Sequence, residues 1–212
     1  MARQSKKSAA WERFLDSMAI DFERWHDGTG YDLDALDEMT PAERREIEAM
    51  LIGKAEQDWR DFEALKHLDT PKAREAIRRG LDAADPETRA AAARHLDEDD
   101  PERGRALARA LGEAAPFEGL SPLLDEAAEF HPPEVVDALL RGAATSEDET
   151  VAVNYAAMLY YIHGLAEEPF DWSHRPFFLR FGEGGAERSA AFDELCRAIG
   201  VDPAPYRRPG PA

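Results

Sequence analysis

The chain has 212 residues, 43% hydrophobic and 33% charged, which is enough apolar surface for a sizeable core and excludes wholesale disorder. Its 44 acidic and 26 basic residues give a formal charge of −18, a field that repels nucleic acid and anionic lipid and attracts cationic proteins. A single cysteine, Cys196, permits no internal disulfide, and no apolar run reaches the roughly 18 residues of a membrane span, so a cytoplasmic location without nucleic-acid or membrane partners is expected.

In chain order, residues 1–8 read as a disordered tail: "MARQSKKSAA" is basic, but no apolar run of signal-peptide length follows it. Trp11, Phe14, Leu15, Met18, Phe22 and Trp25 stand at helical spacing and predict an amphipathic helix through His26, stopped by "DGTG". With a helical turn in "YDLDALDEM", residues 9–39 read as N-terminal capping helices. Thr40-Pro41-Ala42-Glu43 then forms a capping box, with proline at the first helical position.

From there one pattern returns. Segments led by Pro41, Pro71, Pro101 and Pro133 follow one another about 30 residues apart. Six residues after each proline stands Ile47, Ile77, Leu107 or Leu139, and ten after stands Leu51, Leu81, Leu111 or Ala143. These positions share one helical face. Ala76, Ala106 and Ala138 recur at plus five and allow close helix approach, while Arg79, Arg109 and Arg141 recur at plus eight. A second helical stretch follows each proline-led one: "EQDWRDFEALKHL", "DPETRAAAARHL", "FEGLSPLLDEAAEF" and "DETVAVNYAAMLYYIHG". No segment alternates with period two, so the expected fold is all-α: an α-solenoid of stacked helical hairpins over residues 40–164. Residues 165–200 break the period with the aromatic "FDWSHRPFFLRF" and a last helix stopped by Gly200, and read as a C-terminal cap. Residues 201–212 read as a loose tail.

"LDTPKAREAIRRGLDAADPETRAAAARHL", residues 68–96, resembles a HEAT-like repeat of the bilin-lyase type. Its proline-led first helix, the Asp85-Pro86 turn, Thr88-Arg89 at the opening of the second helix, and the close from Ala92 to Leu96 carry the resemblance. The pattern recurs more weakly from Phe130 to Leu159, where Val151 stands in place of the stacking arginine Arg89. The resemblance implies the solenoid fold and leaves function to sites grafted on it. Proteins of this look include immunity proteins that mask a cognate toxin, modification lyases and DNA glycosylases.

Chemistry-bearing constellations are sparse. The histidines His26, His67, His95, His131, His163 and His174 show no zinc-ligand spacing. "DGTGYDLDALDE" has the length of a calcium loop but places Asp32 where the loop needs glycine. "FGEGGAER" lacks the lysine and hydroxyl of a phosphate loop. Cys196 lies among apolar residues at helical spacing and reads as a small buried hydrophobe. No catalytic residue, metal or cofactor is assigned.

The expectation is a non-catalytic binding protein, an immunity protein that captures a basic toxin domain, with an enzyme, an enzyme subunit or a structural adaptor as alternatives. Two acidic turns supply the candidate partner-binding edge: Asp97, Glu98, Asp99 and Asp100, then Glu147, Asp148 and Glu149. Asn154, Tyr161 and Trp172 are the candidate exposed contacts of the aromatic segment, where hot spots concentrate. For Asn154 the alternative is a side chain that bonds its own backbone.

Overall fold

A computed structural model describes residues 7–19, 28–55, 57–116 and 119–207. Among these residues it is all-α, with twelve α-helices, two 3-10 turns and no strand beyond one isolated bridge. No described helix is long and apolar enough to cross a membrane. The chain divides into two compact units, residues 1–82 and 83–212. The boundary falls inside the stretch expected as one array.

The first unit holds α1 (Ala9–Met18), α2 (Leu33–Glu38), α3 (Pro41–Ile52), α4 (Trp59–Leu68) and α5 (Pro71–Gly80). Phe14, Leu36, Ile47, Leu51, Phe62, Leu65 and Ile77 make its core, all at most 2% exposed. The Thr40–Glu43 capping box forms as expected, and Glu43 also accepts from the Ser8 amide at 2.7 Å. Ser8 in turn caps α1, and the Lys7 ammonium lies 3.6 Å from the centre of the Trp11 ring, so Lys7 and Ser8, expected within a disordered tail, are held against α1. Helix α1 is shorter than its apolar spacing predicts. Ala19 is extended, and Ser17 donates to the Phe14 carbonyl while accepting from the Asp32 amide at 2.9 Å. This bond from beyond the glycine turn holds the end of the helix. Phe22, Trp25 and His26 lie outside the described residues, as does Asp27 of the calcium-loop pattern.

A polar cluster sits inside this unit. The Asp61 carboxylate, fully buried, accepts from Tyr31 at 2.9 Å, from Lys54 at 2.7 and 2.8 Å, and from the Asp58 amide at 2.9 Å. The Arg60 guanidinium covers the Tyr31 ring at 4.9 Å. Burial pulls the Lys54 ammonium down, but its bonds to Asp61 and Tyr31 outweigh this and hold it above its ordinary value. Burial pushes the Tyr31 phenol up to about 12, although the Lys54 bond pulls the other way. A folded value above the ordinary 10 means that this contribution to stability is intact below pH 10 and lost as pH rises through about 12. The unfolding midpoint in guanidinium, measured from pH 9 to 12, should therefore fall at the alkaline end. Tyr31→Phe should flatten that fall; an identical alkaline loss in the variant would exclude Tyr31 as a source.

The second unit holds α6 (Pro86–Arg94), α7 (Pro101–Glu113), α8 (Leu120–Glu129), α9 (Pro133–Thr145), α10 (Glu149–Ile162), α11 (Arg175–Leu179) and α12 (Gly185–Ile199). Prolines open α6, α7 and α9, and Leu107, Leu111, Leu139 and Ala143 are buried as the repeat requires. Helix α9 packs broadly on both α7 and α10, while α8 touches both α6 and α10. Arg89 is 3% exposed, donates to the Ala83 and Ala84 carbonyls at 2.8 and 2.9 Å, and pairs with Glu113, which fastens the Asp85-Pro86 turn to the end of α7. Segment 201–207, expected loose, is packed. Val201 donates to the Cys196 carbonyl at 2.8 Å, and the Tyr206 ring stacks edge-on against Phe192 at 6.1 Å. Cys196 is fully buried and its thiol is pushed up to about 11 by that burial, in keeping with a core role.

Two close approaches set the helix register. A Cβ at Gly142 of α9 would run into the Tyr155 ring of α10, whose hydroxyl donates to the Leu111 carbonyl of α7 at 2.6 Å. Gly104 of α7 likewise leaves room for Pro132 and Glu134 at the start of α9. Gly142→Ala should overpack this seam at a cost of roughly 1–3 kcal/mol, only partly offset by a helix-propensity gain of about 1 kcal/mol. Urea unfolding should show a lower midpoint at unchanged slope. A raised midpoint would mean that the seam has slack.

Candidate functional site

The bonds of the second unit show which ends of its helices lie together. Arg103, early in α7, reaches Glu126, late in α8, at 3.2 Å, and Gly104 lies against Pro132 and Glu134. Arg94, at the end of α6, pairs with the same Glu126 at 3.5 Å. At the other ends, Gly119 lies against Glu87 early in α6, and Arg89 meets Glu113 late in α7. Neighbouring helices in sequence thus run antiparallel, and successive connections fall at opposite ends of the helices.

The two acidic turns are separated by this arrangement. Asp97, Glu98 and Asp99 are exposed at the α6–α7 connection, and the half-buried Asp100 caps α7 through the Glu102 amide at 3.0 Å. Glu147, Asp148 and Glu149 are exposed at the α9–α10 connection, one helix length away. Asp148 is committed to capping α10, accepting from the Thr150 and Val151 amides at 2.8 and 3.2 Å. Glu147 and Glu149 form no ion pair among the described residues.

The aromatic segment runs back along α10. Tyr160 stacks with His174 at 4.9 Å and with Phe178 at 5.6 Å, while Gly182 lies beside Val153 and Glu149. Phe178 and Phe181 are fully buried, so most of this segment plugs the core. Tyr161 is half-buried. Trp172 is the exception at 68% exposed, with the Arg175 guanidinium 4.8 Å from its ring. Trp172, Arg175, Pro176 and Leu179 share the outer side of this turn and α11, all exposed.

Between α10 and α11 lies an open groove of about 680 Å3, lined by Glu149, Val153, Asn154, Phe170, Leu179 and Glu183 among others. Its walls join two expected residues, Glu149 and Asn154, to three that sequence reasoning missed. Leu179 is 44% exposed, and the Glu183 carboxylate forms no ion pair among the described residues. Phe170 is held at φ 59, a left-handed conformation uncommon for an aromatic residue, with its ring 5.8 Å from Phe178. Asn154, expected as an exposed contact, is half-buried and donates its amide to the Thr150 carbonyl at 2.8 Å, the backbone bond that was its alternative. Among the described residues, no lysine, arginine or histidine lines the groove. The repeat arginines stand elsewhere: Arg141 is bonded to Asp137 at 2.7 Å and stacks on Tyr206 at 5.5 Å. No family model, curated protein or solved structure matches this chain.

Proposed function

We propose that this chain is a cytoplasmic, non-catalytic binding protein that captures a basic protein partner through the α10–α11 surface of its second unit. The alternating packing of α6 to α10 supports reading those helices as a short HEAT-like solenoid whose last hairpin carries the binding face. The observation that carries the proposal is the meeting, in one groove, of the exposed Leu179 and half-buried Phe170 with carboxylates that form no ion pair among the described residues. Leu179 and Phe170 offer surface to desolvate, and Glu149 and Glu183 offer charge that no cation pairs with among the described residues. Apolar anchors of this kind supply affinity, and the rim charges supply capture rate and partner choice. The net charge of −18 adds long-range attraction for a cationic protein. The HEAT-like resemblance makes a toxin domain, masked by this chain, the partner class we put forward.

The test uses three baits on an extract of the source cell: the native chain, a Glu149→Lys/Glu183→Lys variant, and an Asp97→Asn/Glu98→Gln/Asp99→Asn variant. A basic protein released by raised salt should be captured by the first and third and lost from the second. Co-expression of the native chain should then relieve any growth inhibition that the captured protein causes. Capture that survives in the second bait and fails in the third would place binding on the α6–α7 connection and overturn the proposal.

A further inference from the structure

We infer that the α10–α11 groove is a receptor for an arginine side chain presented by the partner. This inference rests on the partner-binding reading and sharpens it to one chemical group. Its charged atoms are all acceptors, and the Thr150 hydroxyl beside them can donate or accept. The Glu149 and Glu183 carboxylates form no ion pair among the described residues, and Asn154 spends one amide hydrogen on the Thr150 carbonyl while its side-chain oxygen stays able to accept. A guanidinium is the complementary group: it carries donors only, in a planar fork that bonds carboxylates two at a time. Beside Thr150 and Gly182, the walls are apolar or aromatic, from Val153, Leu179 and Phe170. They suit the three methylenes of an arginine stem and offer a ring face to its cation. Lysine carries a compact, strongly hydrated charge and gains less from such a fork-shaped acceptor set. The volume of about 680 Å3 exceeds one side chain, so residues flanking the arginine would occupy the rest.

The probe is Nα-acetyl-arginine N-methylamide, titrated into the isotopically labelled full chain and followed by amide NMR shifts. Its citrulline counterpart, matched in shape but neutral, is the control. Saturable shifts should appear at Thr150, Val153, Asn154 and Gly182. Citrulline should bind at least about tenfold more weakly, since charge-assisted hydrogen bonds are lost. Glu183→Gln should weaken the arginine probe by a similar factor; its exposed, unpaired carboxylate supports no helix cap or ion pair, so the variant's spectrum outside the groove should be native. Shifts that do not saturate, or equal binding of arginine and citrulline, would overturn the arginine receptor. That failure is distinct from failure of the binding reading, which would show instead as partner capture indifferent to Glu149→Lys/Glu183→Lys.

Discussion

The contact on which the second unit depends is the seating of the Tyr155 ring against the backbone of Gly142. With no side chain at Gly142, α9 and α10 approach closely enough for the Tyr155 hydroxyl to pass between them and bond the Leu111 carbonyl on α7. One residue thereby ties three helices together and satisfies its own polar atom, as a buried tyrosine must. The register of α10 follows from this contact, and with it the positions of Glu149, Val153 and Asn154. Phe178 and Phe181 are buried in the same unit, and α11 packs on α10. The groove is a by-product of that packing: α11 is a single short helix of five residues and leaves part of the α10 face uncovered.

The charges of this acidic chain divide by environment. Where carboxylates are buried they are engaged: Asp61 with Tyr31 and Lys54 in the first unit, Glu126 with Arg103 and Arg94 in the second. Removing either partner from such a pair leaves an uncompensated charge, so these side chains serve the fold. Asp85, Asp100 and Asp148 are spent on helix caps, where each satisfies amides that have no intrahelical partner. Subtracting these roles leaves a smaller set of carboxylates that make no ion pair or cap bond among the described residues, although Glu149 also stands in the first turn of α10, where its charge suits the helix dipole. Glu149 and Glu183 belong to that set and border exposed apolar surface.

Much of the fold was legible because it follows local rules. A proline at the first helical position, a Thr or Asp before it, and apolar residues six and ten positions on are all short-range signals, and α3, α5 and α7 obey them. Helix α1 was read too long because its terminator is not local: the Ser17 hydroxyl is held by the amide of Asp32, 15 residues on. Of the site, Glu149 and Asn154 were found through an acidic turn and an odd polar residue. Treating 97–100 and 147–149 as one edge missed a consequence of the hairpin pattern itself, since one turn joins hairpins and the other lies within one. Leu179 and Glu183 carried no periodic signal, and the left-handed conformation of Phe170 has no signature in its residue type.

The central claim is geometric: only the α9–α10 turn borders the apolar groove, because the two acidic turns stand at opposite ends of antiparallel helices. Spin labels at Glu98→Cys and Glu147→Cys, in a Cys196→Ser background, measure this directly by dipolar spectroscopy. The account predicts a single distribution at about 20 Å or longer, the rise of a 13-residue helix such as α7 or α9. A distribution centred well below one helix length would place both turns at one edge and contradict it.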